Sequence, residues 1–177
     1  MLSIACSRHD DSVTSLVSSP NSQWIASGSD DGTIILWDAN GRVCQEWLVK
    51  HEGIRWLAFS PNGQRLSCAD GSGKITIWNL SQVAFRVTTL KTPTSRFMNC
   101  SWSPDSTILA SIARDGSLCL WDTETFQERL RTESLVDSPY GDPDETIGFS
   151  PNGRWLDRKS TRLNSSHSGE SRMPSSA

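Results

Sequence analysis

The sequence predicts an all-β protein made of a repeated antiparallel meander, and three observations carry that reading. First, three stretches align without gaps: SGSDDGTIILWD at Ser27–Asp38, CADGSGKITIWN at Cys68–Asn79 and SIARDGSLCLWD at Ser111–Asp122. Their closing tryptophans, Trp37, Trp78 and Trp121, recur at a period of about 40 residues, the size of one supersecondary unit in a repeat architecture. Second, a Ser-Pro-Asn/Asp marker precedes each stretch, at Ser19-Pro20-Asn21, Ser60-Pro61-Asn62 and Ser103-Pro104-Asp105, and returns at Ser150-Pro151-Asn152. Third, the segments between markers are rich in β-branched and aromatic residues, and none sustains a helical period.

The elements of the first unit follow in order. Strands are expected at Val13–Val17, Trp24–Ser27, Thr33–Trp37 and Val43–Leu48, separated by Pro20-Asn21, Asp30-Asp31-Gly32 and Asn40-Gly41. Proline fixes the first turn torsion, and the Asp-Gly and Asn-Gly pairs supply positive φ. The second unit repeats the scheme with Asn62-Gly63 and Gly71-Ser72-Gly73, the third with Asp105-Ser106 and Asp115-Gly116. A single four-stranded meander is apolar on both faces and cannot bury itself. Copies must stack, and radial stacking gives a β-propeller. Three units and the start of a fourth are too few to close a ring of the usual size, so an open array with one bare face and a tendency to aggregate is expected.

Composition narrows the function. Among 177 residues, 17 Lys+Arg against 20 Asp+Glu leave a net charge of −3, which provides no basic field for nucleic acid. No apolar run reaches the roughly 18 residues of a membrane span, and no leader peptide is visible after Met1. Cys6, Cys44, Cys68, Cys100 and Cys119 contain no C-x-x-C pair and are expected to be buried reduced thiols. No metal-ligand spacing, nucleotide-binding glycine loop or paired base and nucleophile appears, so no cofactor and no catalysis are expected.

The period, the Ser-Pro-Asn/Asp turn, the histidines ahead of the first strands (His9, His51) and the Trp-Asp/Asn endings resemble WD repeats, over Arg8 to Leu156. The resemblance implies a partial, open WD-repeat β-propeller. Its blades fall at about 9–50, 51–92 and 93–136, with a partial one at 137–156. It also implies a bland account of residues that could pass for a catalytic constellation. In such repeats the loop histidine, the second-strand hydroxyl, the turn aspartate and the third-strand tryptophan form one buried hydrogen-bonded set. Carried over, the set is His9, Ser27, Asp31 and Trp37 in the first unit. It thins to His51 and Trp78 in the second, where Cys68 and Ser72 replace the hydroxyl and the acid. The third keeps Ser111, Asp115 and Trp121 without a histidine. The first blade is therefore expected to be the most rigid.

WD propellers are platforms for proteins and peptides, and the resemblance implies the same here: a non-catalytic intracellular scaffold, cytoplasmic or nuclear, without membrane contact. The family's contact positions on the narrower end fall on Ser12, Thr14 and Asp30, then Arg55, then Arg96, Met98 and Arg114. Arginines on one end of an acidic chain suit carboxylate or phosphate, so an acidic or phosphorylated peptide is the expected partner. Two alternatives are a substrate receptor of a cullin-type ubiquitin ligase and the sensor propeller of a multidomain signalling protein. The first is weakened because Asn40, Ser81 and Glu124 stand where such receptors often carry arginine.

After Leu156 the composition changes. Asp157–His167 and Ser171–Ala177 resemble the translation of a sequencing-library adapter, with Ser168-Gly169-Glu170 between them. Residues 157–177 are therefore expected to be a disordered, non-native tail, and the chain a piece of a longer protein.

Overall fold

The computed structural model describes residues 8–49, 53–81, 87–90, 97–132, 146–159 and 171–172. Among these there are strands and turns and no helix, and so no helix long and apolar enough to cross a membrane. The strands form four antiparallel sheets, each an up-and-down meander of consecutive strands. The first holds β1 (Val13–Ser18), β2 (Trp24–Ser29), β3 (Thr33–Asp38) and β4 (Val43–Leu48). The second holds β5 (Ile54–Phe59), β6 (Arg65–Asp70), β7 (Ile75–Asn79) and β8 (Val87–Leu90). The third holds β9 (Phe97–Trp102), β10 (Ile108–Ala113), β11 (Leu118–Asp122) and β12 (Glu128–Arg131). The fourth consists of β13 (Thr146–Phe149), β14 (Trp155–Lys159) and β15 (Ser171–Arg172).

The boundary expected at Leu156 is not where pairing stops. All four residues of β13 have partners on β14, from Phe149 opposite Leu156 to Thr146 opposite Lys159. Ser171 and Arg172 pair in turn with Leu156 and Trp155. Residues 157–159 and 171–172 thus take part in the fourth sheet. Backbone donors and acceptors along an edge demand partners whatever side chains accompany them.

Each Ser-Pro-Asn/Asp marker closes the β1–β2 type turn in one way. The serine hydroxyl donates to the Asn or Asp side chain: Ser19 to Asn21 and Ser60 to Asn62 at 2.7 Å, Ser103 to Asp105 at 2.6 Å, Ser150 to Asn152 at 2.7 Å. The same serine oxygen accepts the backbone N–H of the residue opening the next strand, Trp24, Arg65, Ile108 or Trp155. The third turn residue is left-handed in every copy: Ser22 at φ 57°, Gly63 at 69°, Ser106 at 64° and Gly153 at 70°. Glycine adopts that region without cost and serine does not. Ser22→Gly is therefore expected to raise stability by about 0.5–1 kcal/mol, measured as a higher urea midpoint. Ser106→Gly should gain less, because the Ser106 hydroxyl also accepts the N–H of Asn62 from the neighbouring sheet at 3.1 Å.

The sheets stand in an open row and pack face to face, with an apolar core at each junction. Ala26, Ile34 and Leu36 of the first meet Ile54, Leu57 and Trp78 of the second. Ala69, Ile75 and Ile77 of the second meet Cys100, Trp102 and Trp121 of the third. Ala110, Ile112 and Leu120 meet Ile147 and Leu156. Residues in equivalent positions on the first strand of each sheet show the effect of a neighbour. Leu57, Cys100 and Ile147 are 1%, 2% and 8% exposed, whereas Leu16 on β1 is 61% exposed. Trp24 and Trp47, whose place the sequence leaves open, belong to the first junction. The Trp47 and Trp78 rings lie 5.3 Å apart there.

Cys68, Cys100 and Cys119 are buried free thiols, but Cys44 is exposed. Cys44 lies on the outer face of β4 with the exposed Glu46 and Leu48, alternating with the half-buried Val43, Gln45 and Trp47, so strand alternation turns it to solvent. Burial pushes the Cys100 and Cys119 thiols up to about 11 and raises Cys68 as well, so these three are poor nucleophiles. Cys6 lies outside the described residues.

Candidate functional site

The hydrogen-bonded set of the first sheet has one more member than the sequence suggests. Trp37 Nε1 donates to Ser27 Oγ at 2.9 Å, and Ser27 Oγ lies 2.7 Å from His9 Nε2. His9 Nδ1 lies 2.7 Å from Thr33 Oγ1, and Thr33 donates its hydroxyl to Asp31 Oδ1 at 2.6 Å. Thr33 thus stands between the histidine and the acid, whose closest approach is 3.6 Å. With Asp31 ionised, one direction satisfies every group: Trp37 to Ser27, Ser27 to His9 Nε2, His9 Nδ1–H to Thr33, and Thr33 to Asp31. Burial would raise the Asp31 carboxyl. Hydrogen bonds from the Thr33 hydroxyl and N–H and from the Asp10 N–H, with His9 alongside, outweigh it and hold the carboxyl below its usual range. A nucleophile would have to be reachable, but Ser27 is 2% exposed with its oxygen already bonded on both sides.

The second sheet is less depleted than its sequence implies. Ser72 stands at the acid's position, yet a carboxylate is present two residues earlier. Asp70 Oδ1 accepts the Ser72 N–H at 2.9 Å, the Ser72 hydroxyl at 2.6 Å and the Lys74 N–H at 3.2 Å. Asp115 does the same for Ser117 in the third sheet, at 2.9 and 2.6 Å, beside the Trp121–Ser111 bond of 2.9 Å. A hydroxyl is also supplied from an unexpected strand position. Ser67 accepts Trp102 Nε1–H across the junction at 2.9 Å, with Cys100 Sγ 3.3 Å away. His51 lies outside the described residues.

Three of the candidate contact positions, one on each of the first three sheets, share one backbone feature. In β1 the register passes from Val13–Ser29 directly to Ser15–Gly28, so Thr14 is an extra residue. In β5 it passes from Ile54–Asp70 to Trp56–Ala69, making Arg55 the extra one. In β9 it passes from Phe97–Ala113 to Asn99–Ile112, making Met98 the extra one. The first strands of the first three sheets therefore carry a β-bulge at the same place, which bends the strand and re-aims a side chain. No sequence signal marks these bulges, because they exist only relative to the partner strand.

At this end Arg55 and Asp30 form an ion pair, Nη1 to Oδ1 at 3.2 Å, bridging the first and second sheets. The Thr14 hydroxyl lies 3.1 Å from the Gly28 carbonyl and 2.5 Å from the Ile54 carbonyl, so it also spans the two sheets. Ser12 is exposed and its carbonyl accepts the Asp30 N–H at 3.0 Å. Arg114 is exposed on the corresponding turn of the third sheet. Met98 is described by its backbone alone, and Arg96 lies outside the described residues. Among the described residues no three His, Cys, Asp or Glu side chains converge as metal ligands would.

Comparison with known proteins agrees with this geometry. The family model "WD domain, G-beta repeat" matches residues 2–38, 42–79 and 85–122. The chain is 34% identical over 116 residues to "Protein LST8 homolog" of Drosophila melanogaster, covering 62% of this chain and 37% of the relative. It is 42% identical over 84 residues to "Nuclear distribution protein PAC1-2" of Uncinocarpus reesii, covering 46% and 18%. It is 31% identical over 169 residues to "Guanine nucleotide-binding protein subunit beta" of Zea mays, covering 90% and 40%. The chain thus spans less than half the length of each of these relatives.

Proposed function

This chain belongs to the WD-repeat family, and we propose that it serves as a non-catalytic scaffold whose bulged end receives an acidic or phosphorylated segment of another protein. The observation that carries this reading is the repetition of the bulge at Thr14, Arg55 and Met98. A bulge interrupts the ladder, and its recurrence at one end of three sheets fits a surface that displays side chains there. Arg55 and Arg114 are exposed cations at that end of a chain with net charge −3, and guanidinium forks match carboxylate and phosphate. Asp30 pairs with Arg55, Ser12 and Thr14 are bonded beside that pair, and Met98, together with Arg96 from outside the described residues, is proposed to belong to the same surface. The name of the maize relative makes it a subunit of an assembly, which accords with a scaffold. On this reading the chain acts inside the cell, in cytoplasm or nucleus, with neither membrane nor nucleic acid as partner.

An array of acidic, phosphorylated and neutral peptides tests this against the chain and its Arg55→Glu, Arg114→Glu double variant. Binding to acidic or phosphorylated spots that falls at least tenfold in the double variant is expected. Retention of such binding after both charge reversals, or equal binding to neutral spots, would overturn the proposal.

A further inference from the structure

The Arg55–Asp30 pair is held from several sides. The Asp30 backbone N–H is bonded to the Ser12 carbonyl at 3.0 Å. Gly53 lies beneath it: a Cβ there would stand 2.6 Å from Asp30 Oδ1 and 2.9 Å from its Cα. Gly53 is itself tied by its carbonyl to the Gly71 N–H at 2.8 Å. Both charged groups nevertheless reach water, with side chains 53% exposed for Arg55 and 36% for Asp30. A carboxylate is therefore already seated on the bulge cation, in the position an acidic ligand would take.

Resting on the reading above, we infer that Asp30 is a built-in competitor for Arg55, which makes this end select a phosphorylated segment over one bearing only carboxylates. A ligand carboxylate exchanges one monoanion for another and gains no new pair. A phosphomonoester brings a charge of about −1.5 to −2 and three acceptor oxygens, enough to outbid the resident group. Asp30, exposed, swings into water without leaving a buried charge behind. The surroundings favour a peptide over a lipid surface. Arg55 is already paired with Asp30, and the Asp31 carboxylate next in the chain holds the Asp10 N–H, so carboxylates stand close to the bulge cation and the end suits one phosphate in place of an anionic membrane.

The test follows the side-chain Nε–Hε signals of arginine in the full chain, wild type and Asp30→Asn, by nuclear magnetic resonance. The probes are sodium acetate, inorganic phosphate, a pentapeptide with one phosphoserine flanked by glycines, and vesicles containing phosphatidic acid. In wild type the Arg55 signal should move with phosphate and further with the phosphopeptide, and not with acetate. Asp30→Asn should tighten phosphate binding roughly two- to fivefold, the range of an exposed ion pair, and make acetate effective. Equal responses to acetate and phosphate in wild type, or no change in Asp30→Asn, would overturn the competitor role while leaving the scaffold reading intact. A vesicle response exceeding that of the phosphopeptide would overturn the peptide assignment. Silence of both Arg55 and Arg114 toward every anion, in both proteins, would sink the underlying proposal too.

Discussion

Ser27→Ala should destabilise the chain by about 2–5 kcal/mol, since it strands two buried partners at once and each unsatisfied group costs about 1–3 kcal/mol. Trp37 Nε1–H loses its acceptor and His9 Nε2 loses its donor, and neither gains access to water, since Trp37 is 4% exposed and the His9 side chain 1% exposed. Ser111→Ala is the internal control. There the hydroxyl serves Trp121 alone among the bonds seen, so about half the loss is expected. Urea unfolding of the two variants decides the matter. Adding Trp37→Phe to Ser27→Ala should cost less than the sum of the single changes, because the second removes the donor that the first abandoned. Equal losses for Ser27→Ala and Ser111→Ala would show that His9 adds nothing.

Gly28→Ala should cost about 1–3 kcal/mol, the range for forcing a methyl group into a filled core. A Cβ at Gly28 would lie 2.5 Å from Ile54 Cγ2, 3.0 Å from Ile54 Cβ and 3.2 Å from Leu57 Cδ1. Ile54 and Leu57 are 0% and 1% exposed, so the second sheet has to retreat as a body. The Thr14 hydroxyl contact with the Ile54 carbonyl, 2.5 Å long, would be lost with that retreat. Gly148→Ala, which meets nothing within 4 Å, should be close to neutral. Pairing Gly28→Ala with Ile54→Ala should be less harmful than adding the two losses, since removal of Cγ2 opens the space the new methyl needs. Additive losses in calorimetric melting would place the strain elsewhere.

What the sequence made legible is what depends on local chemistry. The Ser-Pro-Asn/Asp turns form from residues two to five apart, so their recurrence at Ser19, Ser60, Ser103 and Ser150 was readable directly. The strands followed from the spacing between them. What depends on partners remote in the chain was not readable. The bulges at Thr14, Arg55 and Met98 are differences in count between two strands. The role of Asp70 is hidden because aligned columns assign the turn acid to the position of Ser72, whereas a carboxylate two residues earlier holds Ser72 and reaches the Lys74 N–H, the counterpart of the Thr33 and Ser117 N–H groups. The pairing of Arg55 with Asp30 joins two sheets, and no spacing rule reports it.

The bond from Trp102 to Ser67 has a consequence for anyone who treats these units as interchangeable modules. The tryptophan comes from the third sheet, the serine from the second, and the Trp102 nitrogen also lies 3.2 Å from the Ala58 carbonyl. A cassette excised between β8 and β9 severs that link and leaves half of it in each product. Chimeras that graft the second and third units together should therefore express better than those that transplant either one separately.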